Sequence, residues 1–391
     1  MDTQEFISEK ISPVMQPNMD LAIAGGGLAG LTLAIQAAKA GLQVSVFEKE
    51  TYPFHRVCGE YISMESFPFL ESLGLPLGEM ELPRIKKLRI SAPNGQLIEN
   101  KLPLGGFGIS RYLLDYRLSI IAKECGVSIY ENTRVNQIRF DKKYFQFETT
   151  AGNFTATVAA GTFGKRSNLD IKWQRPFTRE KPTPLNNFIG VKYHVKTDFP
   201  YDMIALHNFE NGYCGISAVE KDKYCLCYLT TADNLKKNNN SIKELEKNIL
   251  FQNPHLKKIF STAHFERSEP VTISQISFEK KSLLEDHVLM IGDAAGMITP
   301  LCGNGMSMAM HGSKIAASFL IPFLQGHMNR DEMEQKYVHS WNSHFASRLR
   351  TGRMIQSLFG KPAVTNIFLS AMKPFPGLIK KLIRQTHGEP F

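Results

Sequence analysis

The sequence predicts an α/β chain: a mostly parallel nucleotide-binding sheet, an inserted and mostly antiparallel β-sheet domain, and a C-terminal helical segment. Three stretches predict it. Residues 20–48 read as strand, glycine-rich turn, helix and second strand. Residues 186–279 alternate like the strands of a large sheet. Residues 288–312 return to a buried strand that passes through glycines into a helix.

In the first stretch, DLAIAGGGLAGLTLAIQAAKAGLQVSVFE, Gly25, Gly27 and Gly30 form G-x-G-x-x-G, and Glu48 ends the second strand. Each part has a physical job. Gly25 permits the tight turn out of the strand, and Gly27 lets the backbone approach a pyrophosphate. Gly30 lets the helix pack on the sheet. The helix N-terminus offers free N–H groups and partial positive charge to the phosphates, with Leu28 and Ala29 in its first turn. Glu48 can accept hydrogen bonds from a ribose diol, and Lys49 follows it. An acid there repels a 2′-phosphate, so FAD or NAD is expected rather than NADP. The unit is Rossmann-like.

A chain of 391 residues buries a large core and suits more than one domain. No run of about 20 apolar residues appears, so no membrane span is expected. Residues 1–18 carry acids and lack an apolar centre, which predicts a loose leader rather than a signal peptide. The six cysteines (58, 125, 214, 225, 227 and 302) have neither disulfide-scaffold density nor zinc spacing. Cys225 and Cys227 alternate onto one sheet face and read as packing residues. A reduced, cytoplasmic protein follows.

The net charge of +9 is uneven. No acid lies between Glu334 and Glu389, while Arg348, Arg350, Arg353, Lys361, Lys373, Lys380, Lys381 and Arg384 stand among apolar segments. Two readings stay open: a solvated helical cap, or peripheral contact with an anionic membrane surface. No nucleic-acid module accompanies the charge, so nucleic acid is not an expected partner.

The remaining pattern divides the chain further. Residues 18–83 form the first nucleotide-binding part and include a loop, TYPFHRVCGEYIS, then a helix. Residues 84–107 read as a hairpin of the inserted domain, turning at Pro93, Asn94 and Gly95. Residues 108–172 return to the nucleotide-binding part, with a helix over 111–126 followed by strands. Residues 173–282 form the inserted substrate domain, with a polar helix near 240–252. Residues 283–325 complete the nucleotide site, and 326–391 are basic and helical.

Residues 288–312, VLMIGDAAGMITPLCGNGMSMAMHG, favour FAD over NAD. A strand delivers Gly292 and Asp293, and an acid at that end suits the ribityl hydroxyls of a flavin. Pro300 fixes a turn. Gly303, Asn304 and Gly305 bring bare backbone against a flat ring, and the next helix aims its N-terminus there, where it favours the anionic reduced flavin.

The combination of GGGLAG with Glu48, Arg111 in R-x-x-L-D, and GDAAG-x-x-x-P-x-x-G-x-G resembles the para-hydroxybenzoate hydroxylase fold superfamily. That group holds flavin monooxygenases, geranylgeranyl reductases and flavin-dependent halogenases. The resemblance covers about residues 18–325 and implies a GR2-type FAD-binding domain. It implies FAD contacts at Glu48, Arg111 and Asp293. A middle motif, usually Asp-Gly-x-x-Ser, here reads Phe163-Gly164-Lys165-Arg166-Ser167. Gly164 and Ser167 remain, Phe163 replaces the acid, and Arg166 is expected to compensate toward NAD(P)H. The loop HRVCGEYIS resembles the Cys-Gly segment of geranylgeranyl reductases. It places Arg56, Cys58 and Glu60 near the flavin, Arg56 as an FAD contact and Cys58 and Glu60 as catalytic candidates. Cys58 also has a plain packing reading, and Glu60 qualifies as acid or base only if buried.

No second G-x-G-x-x-G appears, so the resemblance implies transient NAD(P)H as electron donor. The halogenase motif W-x-W-x-I-P is absent, with Trp173 and Trp341 far apart. The reductase motif Tyr-x-Trp-x-Phe-Pro is reduced to Tyr213-Cys214-Gly215-Ile216-Ser217, and Gly296 stands where hydroxylases carry His. The leading expectation is an NAD(P)H-dependent monooxygenase that hydroxylates an apolar aromatic, polyketide or lipid-like substrate through a flavin C4a-hydroperoxide. The alternative is an ene-reductase acting on a prenyl or polyene chain. A non-enzymatic flavin-binding module is the reading from another class. Phe188, Tyr193, Phe209, Tyr213 and Tyr228 are expected on the substrate sheet. His194 and His207 read as satisfied polar residues of it.

Overall fold

The computed structural model describes residues 18–179, 183, 185–298, 304–358, 361–374, 377 and 388–391. The leader, Pro300, Cys302, Gly303, Lys380, Lys381 and Arg384 lie outside the described residues.

An eight-stranded sheet carries the nucleotide-binding elements. Met19–Ala24 lies at its centre, parallel to Val44–Phe47 on one side and to Gly152–Gly161 on the other. Ser128–Tyr130 and Val288–Met290 extend it in parallel. Val44–Phe47 and Val288–Met290 are buried throughout, as parallel strands covered on both faces must be. The helix Leu28–Lys39 covers one face and packs against Gly305–Leu324. Thr32 and Ser313 hydroxyls meet there at 2.7 Å.

A nine-stranded sheet forms the second layer. Phe188–Lys196, Lys223–Thr231, Gly212–Val219 and Met203–Phe209 run antiparallel in that order. The hairpin Arg84–Ser91 and Leu97–Gly108 joins it through a parallel contact with Met203–Phe209. Tyr61–Ser63, grouped by sequence with the nucleotide-binding part, instead pairs with Leu97–Gly108 in this second sheet. The Cys-Gly loop therefore crosses from one sheet to the other, which places it between them.

Alternation decides what each face of the second sheet buries. Val191, Ile216, Leu226 and Tyr228 pack beneath the helices at 242–262. Ile204, Leu206, Tyr213 and Leu229 face the other way, toward the first sheet. The expected aromatic wall thus divides: Tyr213 borders the space between the sheets, whereas Tyr193 and Tyr228 turn outward and donate to Glu246 Oε1 at 2.8 and 3.0 Å. Phe209 belongs to the outward cluster as well. The polar helix expected near 240–252 is observed as Ile242–Asn248 and the short turn Leu250–Gln252, with Ala232–Lys237 before it and Pro254–Thr262 after it.

At the C-terminus Arg330–Leu358 packs on Gly305–Leu324 through Met333, Tyr337, Trp341 and Phe345, and the Tyr337 hydroxyl donates to the Met290 carbonyl at 2.5 Å. Pro362–Met372 follows. No helix among the described residues is long and apolar enough to cross a membrane.

Candidate active site

The glycine turn is shaped by what its neighbours leave room for. Gly25 has φ +109°, and a Cβ there would lie 2.7 Å from Phe163 Cα. A Cβ on Gly30 would strike the Gly25 carbonyl, which fixes the helix close to the strand. Gly27 differs: a Cβ would meet only Arg111 Nη2, at 3.6 Å. It is also the N-cap of Leu28–Lys39, with no side-chain cap. Bare backbone and the positive end of a helix therefore face open space, as a pyrophosphate requires.

Behind this turn runs a chain of charges. Glu48, nearly fully buried, accepts from Gly26 N and from Arg56 Nη2, both at 2.8 Å, through Oε2. Its Oε1 accepts from Glu50 N at 3.1 Å. Arg56 continues to Asp115 Oδ2 at 3.2 Å, and Arg111 grips the same carboxylate with Nε and Nη2, both at 2.7 Å. Burial works against the Arg111 charge, but Asp115 more than restores it and raises its pKa. Both arginines thus have protein partners and still line the cavity.

That cavity holds about 820 Å³ between the two sheets. Gly25, Gly27, Leu28, Ala29, Glu48, Lys49, Arg56, Cys58, Glu60, Arg111, Gly164, Asp293 and Gly305 all border it. Gly30 serves helix packing, and Asn304 is fully buried at the N-cap of Gly305–Leu324. Arg134, Lys165 and Arg166 add positive charge to the lining, and Lys165 Nζ donates to the Val57 carbonyl at 3.0 Å. At the other end the lining is Ile204, Leu206, Tyr213, Leu229, Ile273 and Phe278. A long, two-ended cavity with phosphate-suited charge at one end fits an extended dinucleotide with room beyond it.

Glu60 is the strongest surprise of the site. It is wholly buried and sits at φ 56°, the left-handed region that Glu rarely adopts. Its Oε1 accepts from Arg111 N at 2.8 Å and forms an ion pair with Lys192 Nζ; its Oε2 meets His194 Nε2 at 2.5 Å. Burial pushes the carboxyl up, yet the Lys192 charge and the His194 hydrogen bond outweigh it and hold it at about 2. Glu60 is therefore a carboxylate at neutral pH, so its acid role falls away and an anchoring or acceptor role stays. Lys192 also donates to the Arg56 carbonyl at 3.1 Å. Burial opposes its charge, and Glu60 raises its pKa nonetheless.

Glu60, His194 and Cys225 place a ligand atom each within 4.8 Å of one another. The set does not suit a cation. The Lys192 ammonium already holds Glu60, and the Cys225 thiol donates to the Cys58 carbonyl at 3.1 Å. Burial pushes that thiol well up, so it stays protonated. Cys58 lies on the cavity wall.

Sequence reasoning passed over Lys192, Lys281 and Arg175. Lys281 donates to the Asp293 carbonyl at 2.8 Å, and Arg175 donates to the Ala294 carbonyl at 3.0 Å and Asp170 Oδ1 at 2.8 Å. Together they hold the Gly292–Ala295 turn from below. Burial lowers Lys281 to about 8 against the raising effect of Asp170 and Asp293. His207 is a core residue satisfied on one side only: Nδ1 lies 2.8 Å from Ser91 Oγ, while Nε2 is buried without a hydrogen-bond partner.

The model of the FAD binding domain family matches residues 18–347. The chain belongs to that family. It is an FAD-dependent oxidoreductase. Conditioned medium factor receptor 1 of Dictyostelium discoideum is 26% identical over 377 residues, covering 87% of this chain and 70% of its own. Digeranylgeranylglycerophospholipid reductase of Methanococcus vannielii is 21% identical over 364 residues, covering 84% and 83%. Among solved structures, a flavin-dependent brominase superposes with a TM-score of 0.77 at 19% identity, covering 94% of this chain and 93% of its own. That likeness is one of fold.

Proposed function

We propose that this FAD-dependent oxidoreductase reduces a carbon–carbon double bond of an apolar, isoprenoid-like substrate, with NAD(P)H as the electron donor. The observation that carries the reading is the shape of the cavity: one continuous space joins the dinucleotide cradle to an apolar chamber under the second sheet. Polyprenyl chains have the polarity that this chamber would accept. The reductase name borne by the Methanococcus relative, similar along most of both chains, points the same way.

The residues divide the work. Glu48, Gly27, Arg56 and Arg111 would hold the FAD, with Asp293 and Gly305 at its flavin end. Bound there, FAD supplies hydride chemistry. The apolar wall of Ile204, Leu206, Leu229 and Phe278 orients the chain of the substrate and excludes water. Cys58 presents a proton from the wall, and the Glu60–Lys192–His194 network fixes the loop that carries it. Arg166, on the cavity lining, suits the phosphates of the visiting donor.

The same dry chamber suits oxygen transfer, which keeps hydroxylation as the second reading. One experiment separates them. FAD-loaded protein is incubated with NAD(P)H and a geranylgeranyl lipid, with and without air, and products are weighed. Gain of two hydrogens without air supports reduction. Gain of one oxygen only in air overturns it in favour of hydroxylation.

A further inference from the structure

The helix Pro362–Met372 contains no charged residue. Its inner face, Thr365, Leu369 and Met372, is buried. Met372 joins the apolar cluster that contains Tyr213, Leu229, Phe278 and Met297, all of which line the cavity. Two polar contacts fasten the helix to the hairpin turn at 94–96: Asn94 N to Asn366 Oδ1 at 3.5 Å, and Ser370 Oγ to Gln96 Oε1 at 2.6 Å. Its outer face should then be polar, as for any surface helix. It is not. Ala363, Val364, Ile367 and Ala371 make up most of the outward face, with Ile367 70% and Val364 38% exposed and Ser370 its one polar member. Lys361 and Lys373, both exposed, stand at the two ends of the helix, and no acid interrupts the sequence between Glu334 and Glu389.

An apolar face with a cation at each end, in a stretch of sequence that carries no acid, is complementary to an anionic lipid bilayer. We infer that Pro362–Met372 docks this protein on such a bilayer, Val364 and Ile367 entering the acyl boundary while Lys361 and Lys373 meet the lipid headgroups. Docked there, the helix stands between the bilayer and the substrate chamber, with one face on each. On the reading of an isoprenoid-like substrate, the substrate class narrows to lipids resident in that bilayer.

The test uses the FAD-loaded full chain and sedimentation with phosphatidylcholine vesicles, with and without phosphatidylglycerol. Binding is expected on the phosphatidylglycerol vesicles and should weaken as salt rises. Ile367→Glu should weaken it about ten-fold or more, because the side chain lost is an inserted apolar one. Flavin content and thermal midpoint should stay unchanged, since Ile367 is 70% exposed. Lys361→Gln with Lys373→Gln should remove the preference for phosphatidylglycerol. Absence of vesicle binding, or equal binding by Ile367→Glu, overturns the inference. Self-association abolished by Ile367→Glu overturns it too, and assigns the face to a second copy of the chain. Binding is read without substrate, so docking that survives while no lipid is reduced upholds this inference and sinks the proposed reaction.

Discussion

One wall of the cavity is backbone and the other is side chain. The nucleotide wall takes Gly25, Gly27 and Glu48 from a single βαβ unit, and its hydrogen bond from Gly26 N to Glu48 spans 22 residues. The facing wall is tied by Glu60 to Lys192 and to His194, across 132 and 134 residues. A short-range wall tolerates no bulk, because backbone occupies the space. A long-range wall tolerates no loss of charge, because each buried ion depends on another. The two should therefore fail differently under substitution.

The largest effect is expected at Lys192. Lys192→Met leaves the Glu60 carboxylate buried without its cation, which costs about 3–5 kcal/mol. Neutralising both, with Glu60→Gln added, should recover most of that loss in urea unfolding. A loss below about 1 kcal/mol for Lys192→Met would mean that the pair behaves as an exposed bridge, and the contrast between the walls would collapse.

Cys58 comes next, and its substitution acts on rate rather than stability. Cys58→Ala should lower kcat by about 10²-fold or more, with flavin content and unfolding midpoint unchanged. A turnover rate equal to the parent protein's would make the thiol a packing group and move the proton source elsewhere on the wall.

The nucleotide wall is probed by Gly30→Ala. The added methyl meets the Gly25 carbonyl and Thr162 Oγ1, the latter at 2.7 Å. Overpacking of this kind costs about 1–3 kcal/mol. The expected signature is a lowered flavin-to-protein ratio after purification. Full flavin occupancy would show that the helix can shift away from the strand.

This difference in range also explains what the sequence revealed. Gly25, Gly27, Gly30 and Glu48 announce themselves because strand, turn, helix and acid fall in order within one unit. Lys192, the partner of Glu60, does not. In FIGVKYHV, alternation assigns Gly190, Lys192 and His194 to one face of a strand, and a lysine there reads as solvent-facing. The second layer of structure covers that face, and no local pattern reports it. Tyr61–Ser63 falls in a stretch that reads as a loop, and its pairing with Gly106–Gly108 on the hairpin's second strand is invisible to local pattern for the same reason. The helix Pro254–Thr262 carries its own start signals, with Asn253 as cap and Pro254 at the first position, yet it lies just past the helix expected near 240–252.

The smallest effect concerns pH and tests whether the second sheet yields to acid by itself. His207 lies in that sheet, almost fully buried, with Ser91 on one nitrogen and the ring of His255 stacked 5.4 Å away. Burial, then His255 and Arg89, lowers its pKa to about 3. A folded pKa below the unfolded value of about 6.5 means that the unfolded chain binds the extra proton. The contribution is therefore complete above pH 6.5 and is lost as pH falls from there toward 3. One pH unit below 6.5, the loss amounts to roughly 1.4 kcal/mol. His55 and His311, each held at about 4 by burial and neighbouring cations, steepen the same limb from partly exposed positions. His207→Asn should flatten it by the His207 share when thermal midpoints are compared between pH 7.5 and 5.5. If the parent and variant curves run parallel, His207 takes up its proton alike in the folded and unfolded chain, and acid sensitivity resides in the other two. If they converge at low pH while flavin release keeps its own midpoint, the two walls unfold under separate control.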